Sequence, residues 1–152
     1  MAVEALYLHI PFCRTRCAYC DFDTCALAPA AFKRETTRYL AALERRIDEF
    51  GARGTLASVR TVYIGGGTPT VLGERLLGLV RRVRAWCAPE EFTCEANPES
   101  FHEELAGSLA ASGVTRISLG VQSLEDDELS AIGRIHTATV ALEAIELARR
   151  AG

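Results

Sequence analysis

Apolar and polar residues alternate over residues 5–10, 60–65, 91–96 and 115–121, and between these short runs the apolar spacing widens to three and four. Strict alternation suits a strand covered on one face, and a spacing of three to four suits one face of a helix. The chain therefore predicts four strand–helix units, a parallel sheet and the α/β class. The first helix carries Tyr39, Leu40, Leu43, Ile47 and Phe50 on one face, and the second carries Leu72, Leu76, Val80, Val83 and Trp86. Helix starts are expected at Thr68 with Pro69, at Ser100 with Glu103, at Ser123 with Asp126 and at Thr137, from the capping preferences of hydroxyls and the tolerance of proline in the first turn. Gly51-Ala-Arg-Gly54 reads as a connection inside one domain spanning residues 1–152.

The two faces of each predicted strand differ in character. Leu6, Leu8 and Ile10, Val62 and Ile64, Phe92 and Cys94, and Ile117, Leu119 and Val121 make apolar faces for helices to cover. The opposite faces carry Tyr7 and His9, Thr61 and Tyr63, Thr93 and Glu95, and Ser118 with Gln122 beyond the strand end. A packed barrel interior is dominated by Val, Ile and Leu, so this polar face predicts a hydrated or ligand-filled cavity. A cysteine-rich loop, Gly65-Gly-Gly-Thr-Pro, Asn97-Pro98 and Gln122-Ser123 each follow a strand, which puts all four where α/β proteins build their sites.

Composition narrows the classes. The 152 residues are 49% hydrophobic with a net charge of −3, enough for one core and without the basic field that nucleic acid would call for. No apolar run approaches the roughly 18 residues of a membrane span. The six cysteines fit a reducing, cytoplasmic setting better than a disulfide framework, and no leader is expected ahead of the first strand.

Cys13, Cys17 and Cys20 stand in a C-x3-C-x2-C run, three soft thiolates with no obvious fourth. That set suits a four-iron cluster with one iron left open, since cysteine thiolates hold such clusters. A closed zinc site needs a fourth ligand, for which Cys25, His9 and Asp21 are the neighbours, and ranks second. Arg14 and Arg16 either favour ionised thiols or are solvated loop charge. Cys25, Cys87 and Cys94 read as bystanders, the last two as small hydrophobes. Gly65-Gly66-Gly67-Thr68 opens the backbone to a ligand, yet it lacks the phosphate-loop and dinucleotide patterns and taken alone is a tight turn. Glu95 is placed to bind an amine or hydroxyl, or to serve as an ion-paired or capping carboxylate.

Taken in order, Tyr7-Leu-His-Ile-Pro-Phe-Cys, Cys17-Ala-Tyr-Cys-Asp-Phe, Tyr63-Ile-Gly-Gly-Gly-Thr-Pro-Thr, Glu95-Ala-Asn-Pro, Gly120-Val-Gln-Ser and Gly133-Arg-Ile-His resemble the radical S-adenosylmethionine (SAM) family, in the branch of oxygen-independent coproporphyrinogen III oxidases and heme chaperones. The resemblance implies a partial (β/α) barrel truncated to about four units, a [4Fe-4S] cluster on Cys13, Cys17 and Cys20, and SAM on its open iron, cleaved reductively to a 5′-deoxyadenosyl radical. It further implies that Tyr7, Gly66, Gly67, Thr68 and Glu95 contact SAM. Tyr19, Gln122 and Arg134 would line a second SAM or substrate region, with His9 supporting the loop.

Cys20 is followed by Asp21-Phe22 rather than Gly-Cys, which favours the heme-chaperone branch over a decarboxylating oxidase; a zinc-binding structural module is the remaining alternative. Expected partners are SAM, heme or a porphyrin precursor and an electron donor, with heme delivery to a membrane partner compatible. His102 and His136 are the candidate axial heme ligands, although a surface role is the stronger expectation for both. The family core continues for two further units and a C-terminal domain. The sequence is thus expected to be a fragment whose fourth strand is an open edge, marginal in stability or prone to associate.

Overall fold

The computed structural model describes residues 3–152. Ala5–Ile10 forms β1, followed by two very short strands, β2 (Phe12–Cys13) and β3 (Cys25–Ala26), which pair with each other in parallel. Then come α1 (Pro29–Ala52), β4 (Thr61–Gly66), α2 (Glu74–Arg84), β5 (Glu91–Ala96), α3 (Glu103–Ala111), β6 (Arg116–Leu119), α4 (Asp126–Ala131) and α5 (Ala138–Ala151). The main sheet is parallel throughout, in the order β1-β4-β5-β6. This is the α/β arrangement that alternating strands and helices predict.

Register joins the apolar faces into one surface. Leu8 stands opposite Ile64, Val62 opposite Phe92 and Cys94 opposite Ile117. A slip of one residue on any strand would turn that hydrocarbon to the polar side, so the pattern itself holds the register. Ile10, Ile64 and Phe92 are wholly excluded from solvent, together with Leu76, Leu79, Val80 and Val83 of α2 and Leu109 of α3. Leu40 and Ile47 of α1 complete the cluster. Phe92→Ala is expected to lower the unfolding free energy by about 3–5 kcal/mol, measured by urea denaturation; a loss below about 1 kcal/mol would show that β5 is not the centre of the core.

Several expected boundaries move, each for a local reason. Leu72 is buried in a 3-10 turn, Pro69–Leu72, and not on α2, because Gly73 at φ +57 breaks the chain before Glu74. Trp86 lies beyond the end of α2, where its indole N–H donates to the Asp48 carboxylate at 2.9 Å. Thr68 makes no cap. Ser100 spends its hydroxyl on Thr70 at 2.6 Å within the turn Pro98–Ser100, and His102 caps α3 instead, its Nδ1 accepting from the Leu105 N–H. Ser123 sits ahead of the Glu125 cap and accepts the Glu125 N–H there, whereas Thr137 caps α5 as expected.

The fourth strand ends at Leu119 and not at 121, since the chain turns away through Gln122 at φ 72. β6 is the outer strand at its side, and among the described residues no strand lies beyond it. The expectation about a leader falls on Met1 and Ala2, outside the described residues.

Candidate functional site

The loops that follow β1, β4, β5 and β6 enclose a cavity of about 370 Å³. Its wall includes Cys13, Cys17 and Cys20, Gly66, Gly67 and Thr68, and Glu95, Gln122, Arg134 and Tyr19. Tyr7 is the exception among the expected residues. It is 56% exposed, off the cavity wall, with its hydroxyl on His9 Nδ1 at 2.9 Å.

The cysteine loop is pinned at both ends and in the middle. β2 and β3 close its neck, with the Cys25 N–H donating to the Pro11 carbonyl at 2.7 Å, and the Ala18 N–H reaches the Ile132 carbonyl at 3.3 Å. His9 supports it as expected: the Asp23 carbonyl can only accept, so Nε2 donates to it at 2.9 Å and Nδ1 accepts from Tyr7.

The glycines at and just beyond the end of β4 let this loop approach the sheet. The Gly67 N–H donates to the Ile10 carbonyl and the Thr68 N–H to the Phe12 carbonyl, both at 2.8 Å. A Cβ on Gly67 would come within 2.7 Å of the Phe12 carbonyl oxygen and 3.0 Å of the Cys13 sulfur. Gly66 holds φ +114, and there a Cβ would meet the His9 ring at 2.5 Å.

Thr68 turns its hydroxyl to the Cys13 sulfur at 3.6 Å and accepts from Asn97 Nδ2 at 3.1 Å. That explains why it caps nothing. Burial pushes the Cys13 thiol up; the hydrogen bond from the Thr68 hydroxyl pulls it down, and the neighbouring Cys20 and Cys17 push it up again. Ionised together on one wall, three thiols would repel one another unless a cation held them.

Among the described residues Glu95 is neither ion-paired nor a cap. Its carboxylate accepts from the Tyr63 hydroxyl at 2.6 Å and from the Gly66 N–H at 2.9 Å, so both oxygens are fixed at the cavity wall. Burial, then the bond to Glu95, raises the Tyr63 hydroxyl, which keeps it a donor.

On the opposite side Arg134 sends one Nη to the Cys17 sulfur at 3.6 Å and the other to the Gly120 carbonyl at 2.7 Å. His136, expected at the surface, is 5% exposed, its Nε2 on the Val121 carbonyl at 3.1 Å. The sequence singled out neither Thr24 nor Glu99, and nothing in spacing pointed at them; it reached His136 through the Gly133-Arg-Ile-His motif and as a candidate axial heme ligand.

The donor set fits a group that brings metal to the thiols and sulfur acceptors to the N–H donors. Three free thiols share one wall, and the Thr24 hydroxyl beside them and the Arg134 Nε are buried with no partner among the described residues. A closed single-ion site fits less well. Among the described residues no three His, Cys, Asp or Glu side chains converge on one point, Cys25 is packed against the core, and both His9 nitrogens are engaged.

Residues 7–152 match the radical SAM superfamily. The chain is 44% identical over 149 residues to a heme chaperone HemW of Mycobacterium tuberculosis, covering 92% of this chain and 38% of that protein. It is 37% identical to heme chaperone HemW of Bacillus subtilis, covering 99% of this chain and 40% of that one. The structure of coproporphyrinogen III oxidase (HemN) from Escherichia coli superposes with a TM-score of 0.85 at 26% identity, over 99% of this chain and 35% of that one. The chain thus spans about two fifths of the length of the curated relatives it matches. With the thiol loop, the glycine run and the fixed carboxylate gathered at the strand ends, and with the family's pattern running from Tyr7 to Gly152, the chain belongs to the radical SAM superfamily.

Proposed function

We propose that this chain is the cluster- and SAM-binding part of a HemW-like heme chaperone. The observation that carries the reading is the cavity wall itself, where three unpaired thiols face a doubly anchored carboxylate across a glycine run. Membership in the family implies SAM and a [4Fe-4S] cluster. When bound, that pair supplies one-electron chemistry at the SAM sulfonium, and the protein contributes position, electrostatics and exclusion of water.

Cys13, Cys17 and Cys20 would hold the cluster. Gly66, Gly67 and Thr68 offer backbone and hydroxyl contacts to SAM, Glu95 an acceptor for its ammonium, and Tyr19, Gln122 and Arg134 the far side of the pocket. Contact between Tyr7 and SAM rests on the family's pattern alone, since its hydroxyl is on His9 in this structure. The heme-chaperone assignment rests on relatives at 37–44% identity and on Cys20-Asp21-Phe22. A coproporphyrinogen oxidase-type enzyme is the second reading, favoured by the superposition on HemN. Heme or a porphyrin precursor and an electron donor are the further partners, in a cytoplasmic setting. Among the described residues no helix is long and apolar enough to cross a membrane.

Low-temperature EPR of the full-length protein, reconstituted anaerobically and reduced with dithionite, tests the first part. A four-iron signal that changes on adding SAM is expected, and the absence of any cluster signal in folded protein would remove both readings. Heme titration then separates them. Stoichiometric heme binding without conversion of coproporphyrinogen III supports the chaperone, and conversion without retained heme supports the oxidase.

A further inference from the structure

Behind the Cys17 side of the cavity lies a buried polar group that the proposed function leaves without a role. The Glu99 carboxylate is within 3.9 Å of Arg134 Nη2 and 3.3 Å of His136 Nδ1. Its other oxygen accepts from Asn97 Nδ2 at 3.2 Å. Side-chain exposure here is 5% for Arg134, 0% for His136 and 13% for Glu99. Charges so withdrawn from water are costly unless they are held for a purpose or balanced by partners.

Hydrogen-bond chemistry orders the group. The Val121 carbonyl only accepts, so His136 Nε2 donates to it. The guanidinium only donates, so in the neutral imidazole Nδ1 at 3.4 Å accepts from Arg134 Nη2, while the Glu99 oxygen at 3.3 Å makes no hydrogen bond to it. The same nitrogen of Arg134 also reaches the Gly120 carbonyl, and this leaves Nη1 on the Cys17 sulfur. The imidazole thus fixes the guanidinium by its inner edge, and Glu99 balances its charge from behind.

We propose that His136 and Glu99 are positioning residues that hold the Arg134 guanidinium against the Cys17 sulfur, so that this one thiol ligand carries a fixed cation. The inference rests on the reading that Cys17 ligates a cluster. Hydrogen bonds to cluster sulfurs and nearby charge set the reduction potential, and a fixed cation favours the more negative, reduced state. His136 therefore raises the potential without touching the cluster, and acts only through Arg134.

The test is an EPR-monitored redox titration of the reconstituted full-length protein and of His136→Phe, Arg134→Gln and the double variant. His136→Phe is expected to shift the reduction equilibrium about tenfold toward the oxidised form, about 59 mV for one electron. In the Arg134→Gln background the same change should add nothing, because a residue acting through another has no effect once that other is gone. His136→Gln, which keeps a donor and an acceptor, should recover most of the shift. Should His136→Phe fail to fold, His136→Gln and the near-isosteric Glu99→Gln carry the test. Removing a negative charge by itself raises the potential, so a fall in Glu99→Gln supports positioning and a rise overturns it. Unchanged or additive shifts in a protein that holds its cluster overturn this inference alone, whereas wild-type protein that takes up no cluster overturns the proposed function and this inference with it.

Discussion

Replacing Cys17 by alanine takes bound iron from about four atoms per chain to background, while Cys25→Ala leaves it unchanged. Both thiols are partly exposed and lie in or beside the same loop, so the contrast does not come from access. It comes from direction. Cys17 stands on the cavity wall with Arg134 on its sulfur, whereas Cys25 is in the β2–β3 ladder, packed against the core. Iron and sulfide analysis after anaerobic reconstitution measures the effect. Equal loss in the two variants would mean that four thiolates close the site, and the open-iron reading would fail.

Gly67→Ala is expected to lose most of the bound iron, with a fall of about 1–3 kcal/mol in unfolding free energy. The added Cβ meets the Phe12 carbonyl at 2.7 Å, a backbone atom that cannot swing aside, and the Cys13 sulfur at 3.0 Å. Relief requires moving β2, and Cys13 moves with it. Gly107→Ala on α3 is the control, since nothing beyond its own stretch of helix lies within 4 Å of its new Cβ. There a helix interior gains alanine, and stability should rise by about 0.5–1 kcal/mol with iron unchanged. Iron analysis beside thermal unfolding checks both, and retention of iron by Gly67→Ala would show that the glycine run does not set the position of the thiol loop.

Much of the fold was legible because each strand advertised two faces. The alternation of Leu6, Leu8 and Ile10 with Tyr7 and His9 gives a parallel strand with one polar side, and the loops at the strand ends follow from the connectivity. The site was legible where its residues cluster in motifs, as with the thiols, the glycine run and Glu95. Long-range polar contacts left no such trace. Arg134 meets Cys17 across 117 residues of chain, and His136 is buried only because the turn after α4 folds back on Val121.

β2 and β3 are two residues each, too short for any alternation to register. Thr68 and Ser100 were read as caps because hydroxyls before proline or glutamate commonly are. Here each hydroxyl is engaged elsewhere, Thr68 on the Cys13 sulfur and Ser100 on Thr70 and the Asn97 carbonyl. Tyr7 was expected on the ligand, and its strand parity does put it on the polar face. The phenol nevertheless lies off the cavity wall, with its hydroxyl on His9.

The two-residue ladder between Phe12–Cys13 and Cys25–Ala26 acts as a drawstring. It closes the thiol-bearing segment at its neck, so the loop is a lobe tied to the sheet rather than a part of it. A further backbone tether runs from Ala18 to Ile132, next to the segment that carries Arg134. Opening this lobe breaks a few bonds at the rim and none of the pairs between β1, β4, β5 and β6. Loading and loss of whatever the thiols hold are thereby separated from folding, and hydrogen exchange in residues 13–25 should run far ahead of exchange in the sheet.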